Sequence, residues 1–284
     1  MVKSIYETLQ TGMSILEDNC VESALIDAQI LLCHVLDCDK SYLIIHKNDK
    51  ISIDNYDKYI GLINKRAQKM PVKYLTGICE FYSLDFEVNE NVLIPRPDTE
   101  IIIDTVLEKV DKKQKVKILD LCSGSGCIGI TLANLYKESV VTLVELSTGA
   151  IGVSKKNIKK HNLTDRIKIY KKDILKETID GQFDIIVSNP PYINEKDFEN
   201  LESDVKNYEP EMALISPQDE YKFYKRIIDV YSKNLAKNGI MLLEMGYNQS
   251  EYLYSYALNS KFFSEISIIK DLSGINRVLY LKKV

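Results

Sequence analysis

The chain has 284 residues, of which 45% are hydrophobic and 27% are charged. These proportions are typical of globular proteins and exclude a disordered or membrane-embedded chain. With 37 basic and 41 acidic residues the net charge is -4, which argues weakly against a protein that holds long nucleic acids through their backbone. The length suits one large domain or two domains of unequal size.

The six cysteines are scattered along the chain without a CxxC pair. They predict neither a disulfide framework nor a zinc site, so no metal is expected and free thiols in a reducing cytoplasm are the default. The N-terminal residues 1–19 carry acidic side chains among the apolar ones and do not resemble a signal peptide. No apolar stretch approaches the length of a membrane span.

Residues 1–75 predict a small helical domain. Apolar side chains in the stretch 25–36 recur at helical spacing, and Ser23 can cap their helix. A second periodic stretch covers residues 54–70, and Pro71 ends it because proline cannot continue the helical hydrogen bonding. Nine basic and ten acidic residues make this domain slightly acidic, so it is not a basic arm for nucleic acid.

Residues 76–96 predict a β-hairpin that links two domains. Apolar and polar side chains alternate over residues 84–88, as they do in a half-buried strand. The sequence Asn-Glu-Asn at residues 89–91 predicts the turn, and the apolar residues 92–94 predict the second strand.

From residue 97 to residue 284, segments typical of strands alternate with segments typical of helices. Strands are predicted at residues 116–121, 139–146, 167–170, 183–189, 239–245, 265–271 and 277–283, and helices at residues 126–137, 147–161, 220–236 and 248–259. This alternation with apolar strands predicts an α/β domain with a mostly parallel, doubly wound sheet.

The first predicted strand of this domain ends in the loop DLCSGSG at residues 120–126, which leads into a helix. Glycines at such a turn let the backbone approach a ligand at the strand ends, although two glycines alone are also compatible with a turn that binds nothing. Glu145 ends the second strand about 20 residues later, where an acid can accept hydrogen bonds from ribose hydroxyls. Nicotinamide enzymes share this arrangement.

The fourth predicted strand runs directly into Asn189-Pro190-Pro191-Tyr192. The two prolines fix their own backbone angles and bias Asn189 toward an extended conformation. The asparagine side chain and the adjacent carbonyl therefore form a rigid pair of acceptors that suits a planar NH2 group. The alternative is an ordinary proline turn after a strand.

Over nearly its whole length the chain resembles the HemK or PrmC family of protein-glutamine methyltransferases, which have the class I, Rossmann-like methyltransferase fold. The similar segments are residues 74–81, LIPRPDTE at 93–100, LDLCSGSGCIGI at 119–130, FDIIVSNPPYI at 183–193 and residues 271–277. The tetrapeptide NPPY also occurs in adenine methyltransferases of DNA, whereas the IPRPDTE stretch is specific to the family.

The resemblance implies S-adenosyl-L-methionine as the cofactor and S-adenosyl-L-homocysteine as the product. The residues it assigns to the cofactor are Asp120, Cys122, Ser123, Gly124, Ser125, Gly126, Glu145, Asp173, Ile174 and Asn189, with Asp173 reaching the adenine amine. The residues it assigns to the substrate glutamine are Asn189, Pro190, Pro191 and Tyr192, of which Asn189, Pro190 and Tyr192 are catalytic.

The activity implied is methylation of the glutamine side-chain amide in the Gly-Gly-Gln motif of peptide chain release factors, with residues 1–75 docking the protein substrate. Methylation of a ribosomal protein glutamine uses the same chemistry and stays open. An adenine methyltransferase of nucleic acid would need a basic track, and a non-enzymatic cofactor-binding protein would leave NPPY unused. We expect a cytoplasmic monomer with no nucleic-acid or membrane partner.

The sequence departs from the family pattern at three places. Cys122 stands where the loop usually has its first glycine, and Glu145 replaces the commoner aspartate. Residues 215–220 read ISPQDE where a glycine-rich stretch is usual, which leaves the shape of the substrate rim open. Arg96, between two prolines, is either a contact to the substrate protein or a structural anchor.

Overall fold

The computed structural model describes residues 3–284 and divides them into two compact units. The first unit runs to Ile78 and also contains Glu202–Tyr208, and the second consists of Cys79–Leu201 and Glu209–Val284. No sequence pattern indicated that the segment 202–208 belongs with the N-terminal helices.

The secondary structure of the described residues is as follows. The α-helices are α1 (Ile5–Asp18), α2 (Ala24–Leu36), α3 (Lys40–Ile45), α4 (Ile53–Ala67), α5 (Val72–Thr76), α6 (Glu100–Lys109), α7 (Cys127–Leu135), α8 (Thr148–Lys160), α9 (Glu195–Glu199), α10 (Ser203–Tyr208), α11 (Glu211–Leu214), α12 (Lys222–Val230) and α13 (Ser250–Ser260). The strands are β1 (Ile78–Phe81), β2 (Leu84–Glu87), β3 (Lys117–Leu121), β4 (Val140–Glu145), β5 (Ile167–Lys171), β6 (Phe183–Ser188), β7 (Leu235–Glu244), β8 (Phe263–Lys270) and β9 (Asn276–Lys283). Short 3-10 helices cover Pro97–Thr99 and Tyr231–Asn234.

The first unit is held by the packing of α1, α2 and α4 around buried aliphatic side chains such as Leu16 and Ile63. Ser23 is the N-cap of α2, but its hydroxyl donates to the Asp27 carboxylate at 2.7 Å and does not bond the helix backbone. The Asp27 carboxylate also pairs with Arg66 of α4 at 2.7 Å. Both charged side chains are about nine-tenths buried, so this ion pair ties α2 to α4 inside the unit.

The hairpin of strands β1 and β2 turns at Tyr82-Ser83. Tyr82 and Ser83 both have positive φ, 51° and 59°, which is the conformation of a type I′ turn whose twist matches that of paired strands. A turn does form at the predicted residues 89–91, where the Val92 amide donates to the Asn89 carbonyl at 3.1 Å, but the prediction that it joins the two hairpin strands was wrong. Residues 92–94 form no strand. Tyr-Ser carries no sequence signal for the hairpin turn, whereas Asn-Glu-Asn signals the second turn, so local propensity placed the hairpin there.

The second unit contains a seven-stranded sheet in the order β5-β4-β3-β6-β7-β9-β8. The strands from β5 to β7 are parallel, and β9 and β8 are antiparallel to their neighbours. This confirms the predicted mostly parallel, doubly wound sheet. Alternate residues of β3 enter different cores: Ile118 packs with α6, α7 and α8, and Leu119 packs with α12 and α13.

The chain leaves β3 toward β4 on one side and later returns to β6 on the other side of β3. A crevice opens where the strand order reverses in this way, beyond the carboxyl ends of the strands. The loops that follow β3, β4 and β6 therefore meet at one edge of the sheet. The predicted helix at 220–236 ends earlier, at Val230, and β7 begins at Leu235.

Candidate active site

A cavity of about 240 Å³ lies at the carboxyl ends of β3, β4 and β6, within the second unit. The predicted site residues that line it are Cys122, Ser123, Gly124, Ser125, Glu145, Asp173, Ile174, Asn189 and Pro191. The predicted site residues outside its lining are Asp120, Gly126, Pro190 and Tyr192. The structure thus brings together residues from the ends of four strands, β3, β4, β5 and β6.

Asp120 lies beneath the loop, with only 1% of its surface exposed. Its carboxyl accepts a hydrogen bond from the Gly129 amide of α7 at 2.9 Å, and its Oδ1 has no hydrogen-bond partner among the described residues. Burial raises the pKa of this carboxyl to about 7. Gly129 must lack a side chain because a Cβ there would come within 2.9 Å of Asp120 Oδ2. Asp120 therefore fixes the first turn of α7 against β3.

The loop itself contains three residues with positive φ: Cys122 at 58°, Gly124 at 54° and Gly126 at 81°. A left-handed conformation costs a residue with a side chain about 1–2 kcal/mol. Cys122 bears this strain where the family usually has glycine. Burial and the nearby Glu145 carboxylate raise the pKa of the Cys122 thiol, so it stays protonated at neutral pH.

Glu145 ties this loop to the end of β4. Its Oε2 accepts a hydrogen bond from the Gly124 amide at 2.9 Å, and its Oε1 accepts from the amides of Leu146 and Ser147 at 2.8 Å each. An ionised carboxylate offers about four lone-pair sites. One site on Oε2 therefore remains unused, and Glu145 lines the cavity.

The NPPY segment begins where β6 ends. The Ser188 hydroxyl donates to the Leu121 carbonyl at 2.7 Å and so aligns the ends of β6 and β3. The Asn189 side-chain amide nitrogen donates to the Thr99 hydroxyl in a long hydrogen bond of 3.4 Å. The Tyr192 carbonyl accepts from the Gln249 side chain at 3.1 Å, and burial raises the pKa of the Tyr192 hydroxyl.

The stretch IPRPDTE forms a second wall of the cavity, which the sequence did not indicate. Arg96 forms an ion pair with Glu209, whose carboxylate also accepts from the Ile94 amide at 3.2 Å. Arg96 and Pro210 both line the cavity. The ion pair joins the two chain segments that bound this wall, which supports the anchoring role of Arg96. A contact of Arg96 to the substrate protein stays a prediction.

The end of the IPRPDTE stretch contacts the family motif at residues 271–277. The Arg277 guanidinium pairs with Asp98 at 3.1 Å and with Asp271 at 3.1 Å. Thr99, which is 2% exposed, follows Asp98 and lies against Asn189. Two motifs about 175 residues apart in sequence thus meet behind the NPPY segment.

Comparison with known proteins decides the family. Residues 7–77 match the PrmC N-terminal domain, and residues 99–204 match the Methyltransferase small domain. The chain is 40% identical over 279 residues to the release factor glutamine methyltransferase of Clostridium botulinum, with 98% of each chain covered. The enzyme of the same name from Clostridium acetobutylicum is 40% identical over 277 residues, with 97% of each chain covered.

The chain belongs to the release factor glutamine methyltransferase family. This membership confirms the resemblance that the sequence motifs indicated. A methyltransferase from Pyrococcus furiosus has a similar fold, with a TM-score of 0.54 and 17% identity over 78% of this chain and 98% of its own. Methyltransferases of this fold use S-adenosyl-L-methionine as methyl donor. No helix within residues 3–284 has the length and apolar character of a membrane span.

The segment 215–220, which departs from the family pattern, is ordered against the NPPY loop. The amide of Ser216 donates to the Ile193 carbonyl at 2.9 Å, and the Ser216 hydroxyl donates to the Asp219 carbonyl at 2.7 Å. Glu220 accepts from the Asn194 side chain at 3.0 Å. Side-chain hydrogen bonds thus hold this rim in the place of a glycine-rich turn.

Proposed function

We propose that this protein transfers the methyl group of S-adenosyl-L-methionine to the side-chain amide nitrogen of the glutamine in the Gly-Gly-Gln motif of a peptide chain release factor. The observation that carries the proposal is the presence of Glu145 and Asn189 in the walls of one cavity. The Glu145 carboxylate suits the ribose of a nucleoside, and the Asn189 side chain suits a primary amide. Family membership supplies the release factor as substrate.

The cavity fits the proposed cofactor. The Ser123 hydroxyl lies in its lining, is 93% buried with its residue and has no hydrogen-bond partner among residues 3–284. A buried polar atom without a partner costs about 1–3 kcal/mol, so a ligand with polar groups is expected there. Glu145 would accept a ribose hydroxyl on its remaining lone-pair site, and Asp173 and Ile174 would border the adenine.

Asp120 and Gly126 would act on the cofactor through the shape of the loop, because neither residue lines the cavity. Asp120 fixes α7, and the positive φ of Gly126, 81°, favours glycine over a residue with a side chain. When bound, S-adenosyl-L-methionine supplies a sulfonium methyl that is already activated for transfer.

The glutamine amide is a poor nucleophile because its lone pair is delocalised into the carbonyl. The Asn189 side-chain oxygen and the Pro190 carbonyl would accept the two amide hydrogens and turn the lone pair toward the methyl group. Such orientation can lower a barrier by about 7–11 kcal/mol at best. The same two acceptors would stabilise the positive charge that develops on the nitrogen. Tyr192 would frame the slot from its buried position.

The helical unit would dock the body of the release factor. Helix α3 exposes two isoleucines, with Ile44 71% and Ile45 75% accessible to solvent. Adjacent exposed apolar side chains are typical of protein contact surfaces. A contact there would add specificity that one glutamine side chain cannot supply.

Mass spectrometry tests the proposal. Purified release factor is incubated with the protein and methyl-labelled cofactor, and the Gly-Gly-Gln peptide is then analysed. We expect one methyl group on the glutamine and none when that glutamine is replaced by alanine. Preferential labelling of a ribosomal protein or of adenine in DNA, offered in parallel, would assign the protein to a different substrate.

A further inference from the structure

Glu244 is a buried acid that the proposed reaction does not use. It is the last residue of β7, and its predecessor Leu243 pairs with Ser188 at the end of β6. Glu244 therefore lies beside Asn189, the next residue after β6. Only 2% of its surface is exposed, and its Oε2 has no hydrogen-bond partner among the described residues.

Two cavity residues face the Glu244 carboxyl. The side chains of Thr99 and Asn189 are close enough to lower the pKa of this carboxyl, as hydrogen-bond donors do, and both residues line the cavity, whereas Glu244 does not. The Asn189 amide nitrogen also donates to the Thr99 hydroxyl. The NH2 group of Asn189 thus meets acceptors on the protein side.

We propose that Glu244 is a positioning residue that holds the NH2 group of Asn189 and thereby directs the Asn189 oxygen into the cavity. The inference rests on the proposed function, since the oxygen is useful only if an amide is the methyl acceptor. A primary amide has one acceptor end and one donor end, so fixing one end fixes the other. With the amide reversed, Asn189 would present hydrogens to the hydrogens of the substrate.

Stability does not account for a carboxyl at this position. Taking an acid out of water and leaving one oxygen without a partner opposes folding. Residues that lower stability in this way are concentrated at functional sites. Glu244 lies at the end of β7, next to the substrate slot that begins at Asn189.

The charges around Glu244 are mixed. The Arg277 guanidinium on β9 favours its ionised form, whereas the Asp98 carboxylate favours the neutral form, and the Tyr192 and Tyr224 hydroxyls lie close enough for its charge to raise their pKa. Burial dominates and raises the pKa of Glu244 to about 7.

Protonation of Glu244 would reverse its effect on Asn189. A neutral carboxyl can donate a hydrogen bond, so it would attract the Asn189 oxygen and turn the NH2 group toward the substrate. The charged, active form is present above the raised pKa and is lost as the pH falls through it. The ionised fraction of a group with a pKa of about 7 falls about tenfold between pH 8 and pH 6, and kcat should fall with it.

Glu244→Gln tests this role on the full chain with release factor as substrate. We expect the kcat of this variant at pH 8 to be about tenfold below that of wild type. The fall of kcat between pH 8 and pH 6 should also disappear, because glutamine does not titrate. The KM for release factor and the cofactor Kd should stay within about twofold, and Tm should be unchanged or higher. Glu251→Gln, at an exposed site on α13, is the matched control and should keep the wild-type profile.

A kcat within twofold of wild type, or a reduced kcat that keeps the wild-type pH limb, would overturn the positioning role. A loss of cofactor affinity in proportion to kcat would also overturn it, since the variant would then have damaged the cavity. Failure of the wild-type protein to methylate release factor would instead contradict the proposed function, and the two failures are therefore distinguishable.

Discussion

The Arg96 guanidinium pairs with the Glu209 carboxylate, 113 residues further along the chain, and only 1% of the Glu209 side chain is exposed. The pair joins the two segments that form one wall of the cavity.

We expect Arg96→Ala to lower the free energy of unfolding by about 1–3 kcal/mol, because a buried carboxylate loses a charged hydrogen-bond donor. Urea denaturation measures this. Arg96→Lys, which keeps the charge, should lose less, and wild-type stability of Arg96→Ala would contradict the anchoring role.

Glu145→Ala should weaken the binding of S-adenosyl-L-methionine by about 1.5–3 kcal/mol, roughly 10- to 100-fold in Kd. The variant removes the expected acceptor for the ribose and the hydrogen bond that holds the Gly124 amide. Isothermal titration calorimetry gives the affinity. Glu145→Asp, which restores the commoner acid of the family, should retain most of the binding. An unchanged affinity in Glu145→Ala would show that the cofactor lies elsewhere.

Asn189→Ala should separate binding from turnover. Its side chain contacts the substrate amide in the proposed reaction, so the cofactor Kd should change only modestly while kcat falls by orders of magnitude. Asn200→Ala, on the surface after α9, serves as the control. If Asn189→Ala turned over at close to the wild-type rate, the orientation mechanism would have to be abandoned.

Stability should depend on pH through Asp120. Its pKa is raised from 3.8 to about 7 in the folded protein, so between these values the folded chain binds a proton that the unfolded chain has lost. The free energy of unfolding should therefore decrease as the pH rises from about 4 to 7. Asp120→Asn keeps an oxygen for the Gly129 amide and removes this titration.

We expect Asp120→Asn to be more stable than wild type by about 1–3 kcal/mol at pH 8 and similar at pH 4. Urea denaturation without cofactor, repeated across this pH range, measures the slope of the unfolding free energy against pH. In Asp120→Asn the slope should become smaller but not zero, because the pKa of Glu244 is also raised to about 7. Asp165→Asn, at an exposed position, should leave the slope unchanged. A variant slope equal to that of wild type would show that Asp120 is ionised when folded.

The docking role of the helical unit is best tested by surface variants. Removing residues 1–75 would uncover α10, whose Tyr208 hydroxyl donates to the Gln68 carbonyl at 2.7 Å within the first unit. Ile44→Asp combined with Ile45→Asp should raise the KM for whole release factor at least about tenfold. Activity on a short Gly-Gly-Gln peptide should be unchanged, since a peptide cannot reach a second contact.

Leu258→Asp, at an exposed apolar position on α13, is the control for the added charge. Equal loss on peptide and protein would point to damage of the catalytic unit. Full activity of the α3 variant on whole release factor would remove α3 from the docking surface.

The sequence by itself determined the sheet and the loops that border the cavity. Apolar runs in alternation with helical periods predicted the strands from β3 to β9, and short motifs marked the loop at 120–126, Glu145 and the NPPY segment. These features are local, because a strand, a glycine turn or a pair of prolines limits its own backbone whatever surrounds it. The type I′ turn at Tyr82-Ser83 was missed because its residues carry no such local signal.

Only the tertiary structure decided which distant residues act together. Glu244 and Asn189 are neighbours because the parallel strands β7 and β6 end at the same edge of the sheet. Arg96 and Glu209 are neighbours because two loops meet at one wall of the cavity, and no spacing in the sequence encodes either meeting. The pKa of Glu244 likewise depends on burial, which packing determines after the strands have assembled. In the sequence, Glu244 lies in an apolar run that predicts only a strand. Behind Asn189 in the folded protein, the same residue is placed to direct the amide that receives the substrate.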